Sequence, residues 1–136
     1  MERVLITGAD GFVASHLVAE LAGELTCEIT GVGLQPRPRI ETGRLDYHVL
    51  DLTDYELVKD LVERTRPDAV FHLAAMPSVA KSWEDPWSTY RVNVLGQVNL
   101  MEAIRRAGLE ASVHIACSSE EYGKVQPSDM PMTEDL

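Results

Sequence analysis

The chain has 136 residues, the size of one ordinary domain, and its 45% hydrophobic and 25% charged residues are the balance of a packed globular protein, not a disordered or fibrous one. The 22 acidic against 12 basic side chains give a net charge of -10, which repels a phosphate backbone and argues against nucleic-acid binding.

The opening apolar run, Val4-Leu5-Ile6-Thr7, is too short for a signal-peptide core and passes straight into Gly8, so it reads as a first strand. Further strands are expected at Glu28–Gly33, Asp46–Leu50, Ala69–Leu73 and Ser112–Cys117, each apolar enough to be covered on both faces. Helix-period segments alternate with them. Gly11–Leu25 sets Phe12, Leu17, Val18 and Leu21 on one face, and Asp54–Thr65 does the same with Leu57, Val58, Leu61 and Val62, with Asp54 as N-cap. A longer helix is predicted from Pro86 to Ala107, ended by Gly108 as a left-handed residue. Its apolar surface, including Val94, Val98 and Met101, is wider than one sheet face requires, which predicts a homo-oligomer. Residues 123–136 show no period and read as loop.

Strand–helix alternation of this kind predicts an α/β fold, a Rossmann-type doubly wound parallel sheet over residues 1–122, truncated after about the fifth strand. No run approaches the roughly 18 apolar residues of a membrane span. Cys27 and Cys117 have no metal-ligand spacing, so no metal site is expected, and a cytoplasmic setting fits two unpaired thiols.

Between the first strand and first helix lies Thr7-Gly8-Ala9-Asp10-Gly11-Phe12-Val13-Ala14, the place where a parallel sheet binds a dinucleotide. Gly8 permits the tight turn, Gly11 lets the backbone approach a pyrophosphate, and small Ala14 allows close helix packing. The helix N-terminus supplies free N–H groups for the phosphates. An acid that would accept from the ribose 2′-OH is expected about 20 residues further on, but the second strand ends Val32-Gly33-Leu34-Gln35. Arg37 and Arg39 follow and would suit a 2′-phosphate, so NADP is favoured over NAD.

This cradle, with Asp51-Leu52-Thr53-Asp54, His72-Leu73-Ala74-Ala75, Asn93-Val94-Leu95-Gly96 and Ser118-Ser119-Glu120-Glu121-Tyr122-Gly123, resembles the extended short-chain dehydrogenase/reductases, the epimerase/dehydratase family. Ala14 stands where the family has its third glycine. The resemblance implies a cofactor site of Gly8, Asp10, Gly11, Phe12, Val13, Arg37, Asp51, Leu52, Leu73, Ala74, Ala75 and Asn93, with Asp51 near the adenine. It implies Ser118 as the hydroxyl holding the reacting substrate oxygen, and Glu120 as the acid that assists dehydration. Met76, Pro77 and Ser78 would border the nicotinamide or sugar, while His72 reads as structural. The implied substrate is a nucleotide sugar, most similar to that of GDP-mannose 4,6-dehydratases or GDP-4-dehydro-6-deoxy-mannose reductases. The family's Y-x-x-x-K pair is missing after Ser118, so the chain is expected to stop before the catalytic helix and to be inactive alone; a non-catalytic dinucleotide-binding module, or a fragment of an NDP-sugar epimerase, is the alternative.

Overall fold

Alternation along the first strand sets the architecture of the computed structural model, which describes residues 2–24 and 26–135. In β1 (Glu2–Thr7), Val4 and Ile6 point to one layer and Leu5 to the other, and all three are buried. The first layer is α1 (Phe12–Gly23), which buries Ala14 and Val18 against Val4, Ile6 and Ile29. The second is α2 (Tyr55–Thr65) and a later helix, whose Val58, Leu61, Val62, Leu100 and Ile104 meet Leu5, Val32 and Val70. Burial of this kind is worth about 1.5–3 kcal/mol per large aliphatic side chain, so the two layers hold the sheet between them.

Five strands pair in parallel: β1, β2 (Cys27–Gly33), β3 (Leu45–Val49), β4 (Ala69–His72) and β5 (Ser112–Ile115), in the order β3-β2-β1-β4-β5. The chain runs outward from β1 to β3 and then returns to the other side of β1. A crevice therefore opens at the carboxyl ends of β1 and β4, where the strand order reverses. The expected class and all five strands are present.

Three expectations about burial are corrected. Leu57, expected on the inner face of α2, is 48% exposed, because Val58, Leu61 and Val62 are the residues this helix turns to the core. Phe12 is 65% exposed, because α1 turns Ala14 and Val18 to the sheet instead and leaves Phe12 edge-on to His16 at 4.8 Å. β5 is not covered on both faces: only one side is lined, by Val113, while Ser112 and His114 stay exposed because α1 lies over the other half of the sheet.

Helix ends follow their local chemistry. Asp54 caps α2 by accepting from the Leu57 N–H at 3.3 Å, as expected, and Arg66 closes it at φ 43°. A short helix not expected from periodicity, α3 (Val79–Glu84), starts where Ser78 accepts from the Lys81 N–H. The long helix is present but changes pitch: α4 (Pro86–Tyr90), capped by Asp85, runs into a π turn (Arg91–Leu95) and then α5 (Gly96–Arg106). At its end the Leu109 N–H reaches Ile104 O and the Gly108 N–H reaches Arg105 O, with Gly108 at φ 62°, the paired bonds of a Schellman cap. Beyond β5 the chain makes two 3₁₀ turns, Ser119–Tyr122 and Pro127–Asp129.

Candidate functional site

Gly8 adopts φ +69°, and a Cβ there would lie 2.8 Å from Ala74 N, so the loop after β1 passes directly under the loop after β4. Gly11 ends the turn by donating its N–H to Gly8 O at 2.8 Å and begins α1 with no side-chain cap. The first-turn N–H groups of Phe12 and Val13 are left for a ligand. An anion placed there meets the positive end of the helix dipole. The tight turn that the glycine spacing predicted is present, and the uncapped helix start it leads into leaves N–H groups that a pyrophosphate could occupy.

Around it lies a cavity of about 250 Å³, lined by Gly8, Asp10, Gly11, Val32 to Gln35, Leu50 to Thr53, Leu73 to Ala75 and Val92. Asp51 stands at its rim, with Oδ1 accepting from the Thr53 N–H at 2.9 Å. The structure thus brings Gly8, Asp10, Gly11, Asp51, Leu52, Leu73, Ala74 and Ala75 together. It does not bring the two arginines in: neither Arg37 nor Arg39 lines the cavity, and Arg39 Nε donates to the Asp10 carbonyl at 3.3 Å. The basis for expecting NADP is weakened accordingly.

A second hollow, of about 680 Å³, shares Ala74 and Ala75 with the first and extends over the ends of β4 and β5. His72, Met76, Pro77, Ser78, Asn93 and Ser118 line it. Ser118 is exposed, and its Oγ accepts from the Glu120 N–H at 3.3 Å, a local bond at the start of the 3₁₀ turn. Glu121 lines the hollow, whereas Glu120 is exposed outside it.

Asn93 has a different task from the one expected of it. Its Oδ1 accepts from the Met76 N–H at 2.7 Å and its Nδ2 donates to Met76 O at 3.3 Å. Both polar ends of the amide are therefore committed to the loop that separates the hollows. The π turn supplies this geometry, since its extra residue re-aims one side chain of an otherwise regular helix, as such turns commonly do at functional sites.

The floor of the crevice is a buried polar relay that the sequence did not reveal. Thr7 Oγ1 accepts from the Ala74 N–H at 3.2 Å and lies 2.8 Å from His72 Nδ1. With that hydroxyl donating to Nδ1, the imidazole is neutral and carries its proton on Nε2. Burial pushes the His72 pKa below its ordinary value, in keeping with a neutral, structural ring.

Comparison with known proteins agrees with this geometry. The model of the NAD dependent epimerase/dehydratase family matches residues 4–136. A GDP-6-deoxy-D-mannose reductase from Pseudomonas aeruginosa is 33% identical over 135 residues, covering 99% of this chain and 40% of its own length. A UDP-glucose 4-epimerase from Mycolicibacterium smegmatis is 36% identical over 145 residues, covering 98% and 44%. Among solved structures, the Thermus thermophilus UDP-glucose 4-epimerase in complex with NAD superposes with a TM-score of 0.72 at 36% identity, over 79% of this chain and 35% of that one. The chain spans less than half the length of these relatives. It belongs to the NAD dependent epimerase/dehydratase family.

Proposed function

We propose that this chain is the cofactor-binding part of an enzyme that modifies a nucleotide sugar, of the GDP-4-dehydro-6-deoxy-mannose reductase or GDP-mannose 4,6-dehydratase type. The observation that carries the reading is the cradle: Gly8 under Ala74, an uncapped α1, and two joined hollows at the strand-order reversal. A bound nicotinamide dinucleotide would supply hydride transfer. The chain's own residues bind and orient: Gly8, Gly11 and the first turn of α1 seat the pyrophosphate, and Asp51 borders the adenine. Asn93 holds Met76 so that the loop after β4 walls the nicotinamide side. Ser118 offers its hydroxyl to the sugar oxygen whose proton moves with the hydride, and Glu120 is the acid for dehydration by its place in the motif, with Glu121 nearer the hollow.

UDP-hexose epimerisation is the second reading, favoured by the relatives that carry that name. The exposed apolar side chains Trp87, Tyr90, Val94, Val98 and Met101 along α4 to α5, with Trp83 on the preceding α3, support a homo-oligomer, since Trp83 and Trp87 alone are 84% and 82% exposed. The setting we propose is cytoplasmic; among the described residues no helix is long and apolar enough to cross a membrane.

The test is calorimetric titration with NAD and NADP, joined to turnover assays on GDP-mannose, its 4-keto-6-deoxy product and UDP-glucose. Both the 136-residue chain and a longer form carrying the coding sequence after Leu136 are assayed. We expect binding by both forms and turnover only by the longer one, because the chain holds no Y-x-x-x-K after Ser118. Binding without turnover in either form would instead support the non-catalytic module.

A further inference from the structure

The strand end that should carry an acid has glycine, yet a carboxylate occupies the same place from another direction. Asp10 leaves the loop after β1 and crosses to the end of β2, where its Oδ2 accepts from the N–H groups of Leu34 and Gln35, both at 2.9 Å. A Cβ built on Gly33 would stand 2.5 Å from Asp10 Cγ and 2.6 Å from its Oδ1. The carboxylate therefore fills the space from which a side chain at position 33 would start. Gly33 and Asp10 are one device: the carboxylate comes from the glycine loop, and the missing side chain at the strand end leaves room for it.

Part of the carboxylate's acceptor capacity is left unused. Oδ2 is used twice, while Oδ1 has no protein donor among the described residues and Asp10 lines the cavity. The neighbouring Tyr47 hydroxyl is already donating to Gln35 O at 2.8 Å. Burial, and then the charge of Asp10, hold the Tyr47 pKa above its ordinary value, so the tyrosine feels the negative charge without neutralising it. Among the described residues no cation lines the cavity; the guanidinium of Arg39 is held outside the lining, where its Nε donates to the Asp10 carbonyl and not to the carboxylate.

We propose that Asp10 is the residue that selects the cofactor: its Oδ1 accepts from the adenosine ribose hydroxyls, and its charge repels a 2′-phosphate, so the site prefers NAD to NADP. This rests on the dinucleotide reading of the cradle and reverses the preference that the bare strand end suggests. A displaced acid does the work of a strand-end acid because only the position of the charge at the ribose matters, not the chain segment that delivers it.

Asp10→Asn separates this role from a purely structural one. The amide oxygen can still accept from Leu34 and Gln35, so the loop stays tied, while the charge is lost. Titrations of NAD, NADP, 5′-AMP and 2′,5′-ADP are run on both proteins, with thermal melts confirming that each is folded. The wild type is expected to bind NAD at least about tenfold more tightly than NADP, and the variant to bring the two within about threefold, mainly by gaining NADP affinity. The two adenosine fragments should follow the same order. An Asn variant that changes both cofactors equally, or a wild type that prefers NADP, overturns the assignment of Asp10. Binding of none of the four by the wild type overturns the cradle reading itself, and the selection with it.

Discussion

Replacing Gly8 by alanine should cost fold stability, whereas the same change at Gly11 should not. At φ +69° a side chain adds about 1–2 kcal/mol of backbone strain. The new Cβ would also sit 2.8 Å from Ala74 N, 2.9 Å from Ala74 Cα and 3.0 Å from the Leu73 carbonyl carbon, all main-chain atoms that cannot rotate away. Separating the two loops to relieve this strains a packed region, typically about 1–3 kcal/mol, and pulls on the bond from the Ala74 N–H to Thr7 Oγ1. The sum is about 2–5 kcal/mol, a large share of the roughly 5–15 kcal/mol that holds a typical domain. Gly11, at φ -84°, has only Gly8 O near its would-be Cβ, at 3.0 Å, so Gly11→Ala should cost under about 1 kcal/mol. Urea unfolding of both variants, with unchanged denaturant slope, gives the comparison. Equal losses, or a Gly8→Ala loss below about 1 kcal/mol, would refute the account of why the first glycine is there.

Gly11→Val should keep the α/β circular dichroism spectrum but weaken dinucleotide binding by at least about 100-fold, since a branched side chain stands where the phosphates must pass; undiminished affinity in calorimetry would remove the cradle. His72 is held below its ordinary pKa of 6.5 by burial, so the unfolded chain takes up a proton that the folded chain resists. Its contribution to stability is complete above about pH 6.5 and is lost as pH falls from there through the folded value. Melting temperatures between about pH 7.5 and 5 should therefore fall more steeply in wild type than in His72→Gln, and parallel slopes would contradict this. Trp87→Glu with Val98→Glu places two charges among the exposed apolar side chains of α4 and α5 and should leave a monomer by light scattering where the wild type self-associates; an unchanged mass would move the interface elsewhere.

How much of this was legible in the sequence depends on whether a feature is local. The strands and α2 were, because apolar period and caps such as Asp54 act within a few residues. Gly108 as the helix stop was legible for the same reason. The π turn was not: no residue in Arg91–Leu95 forbids an ordinary helix, and the turn shows only once Asn93 is seen reaching Met76, 17 positions away. Phe12 misled because its place fits the apolar face, while Ala14 and Val18 suffice to fill the space above β1. The relay from Ala74 to Thr7 to His72 joins residues 65 and 67 apart, and Asp10 meets Leu34 across 24. Such pairings become visible only when parallel strands are laid side by side, although a glycine where an acid is expected was a signal to look for the acid elsewhere.

The two hollows are held with unequal firmness, and this divides binding from turnover. Around the first, the loops are tied across strands: Ala9 N–H to Val32 O at 2.8 Å, Leu50 N–H to Gly33 O at 2.9 Å and Leu73 N–H to Thr7 O at 3.2 Å. Around Ser118, the last cross-strand tie is Ala116 N–H to His72 O at 3.2 Å, and beyond it the backbone bonds are local to the 3₁₀ turn. A displacement of about 1 Å in a reacting group can cost about 100-fold in rate, while affinity spread over a whole dinucleotide tolerates it. Ser118→Ala should therefore leave the affinity of the 136-residue chain for its cofactor within about twofold. In the longer form the same change should lower kcat by about 100-fold or more, as the loss of a positioned donor to the reacting oxygen typically does. If cofactor affinity falls in parallel with kcat, Ser118 is part of the cofactor's seat and the division between the two hollows does not hold.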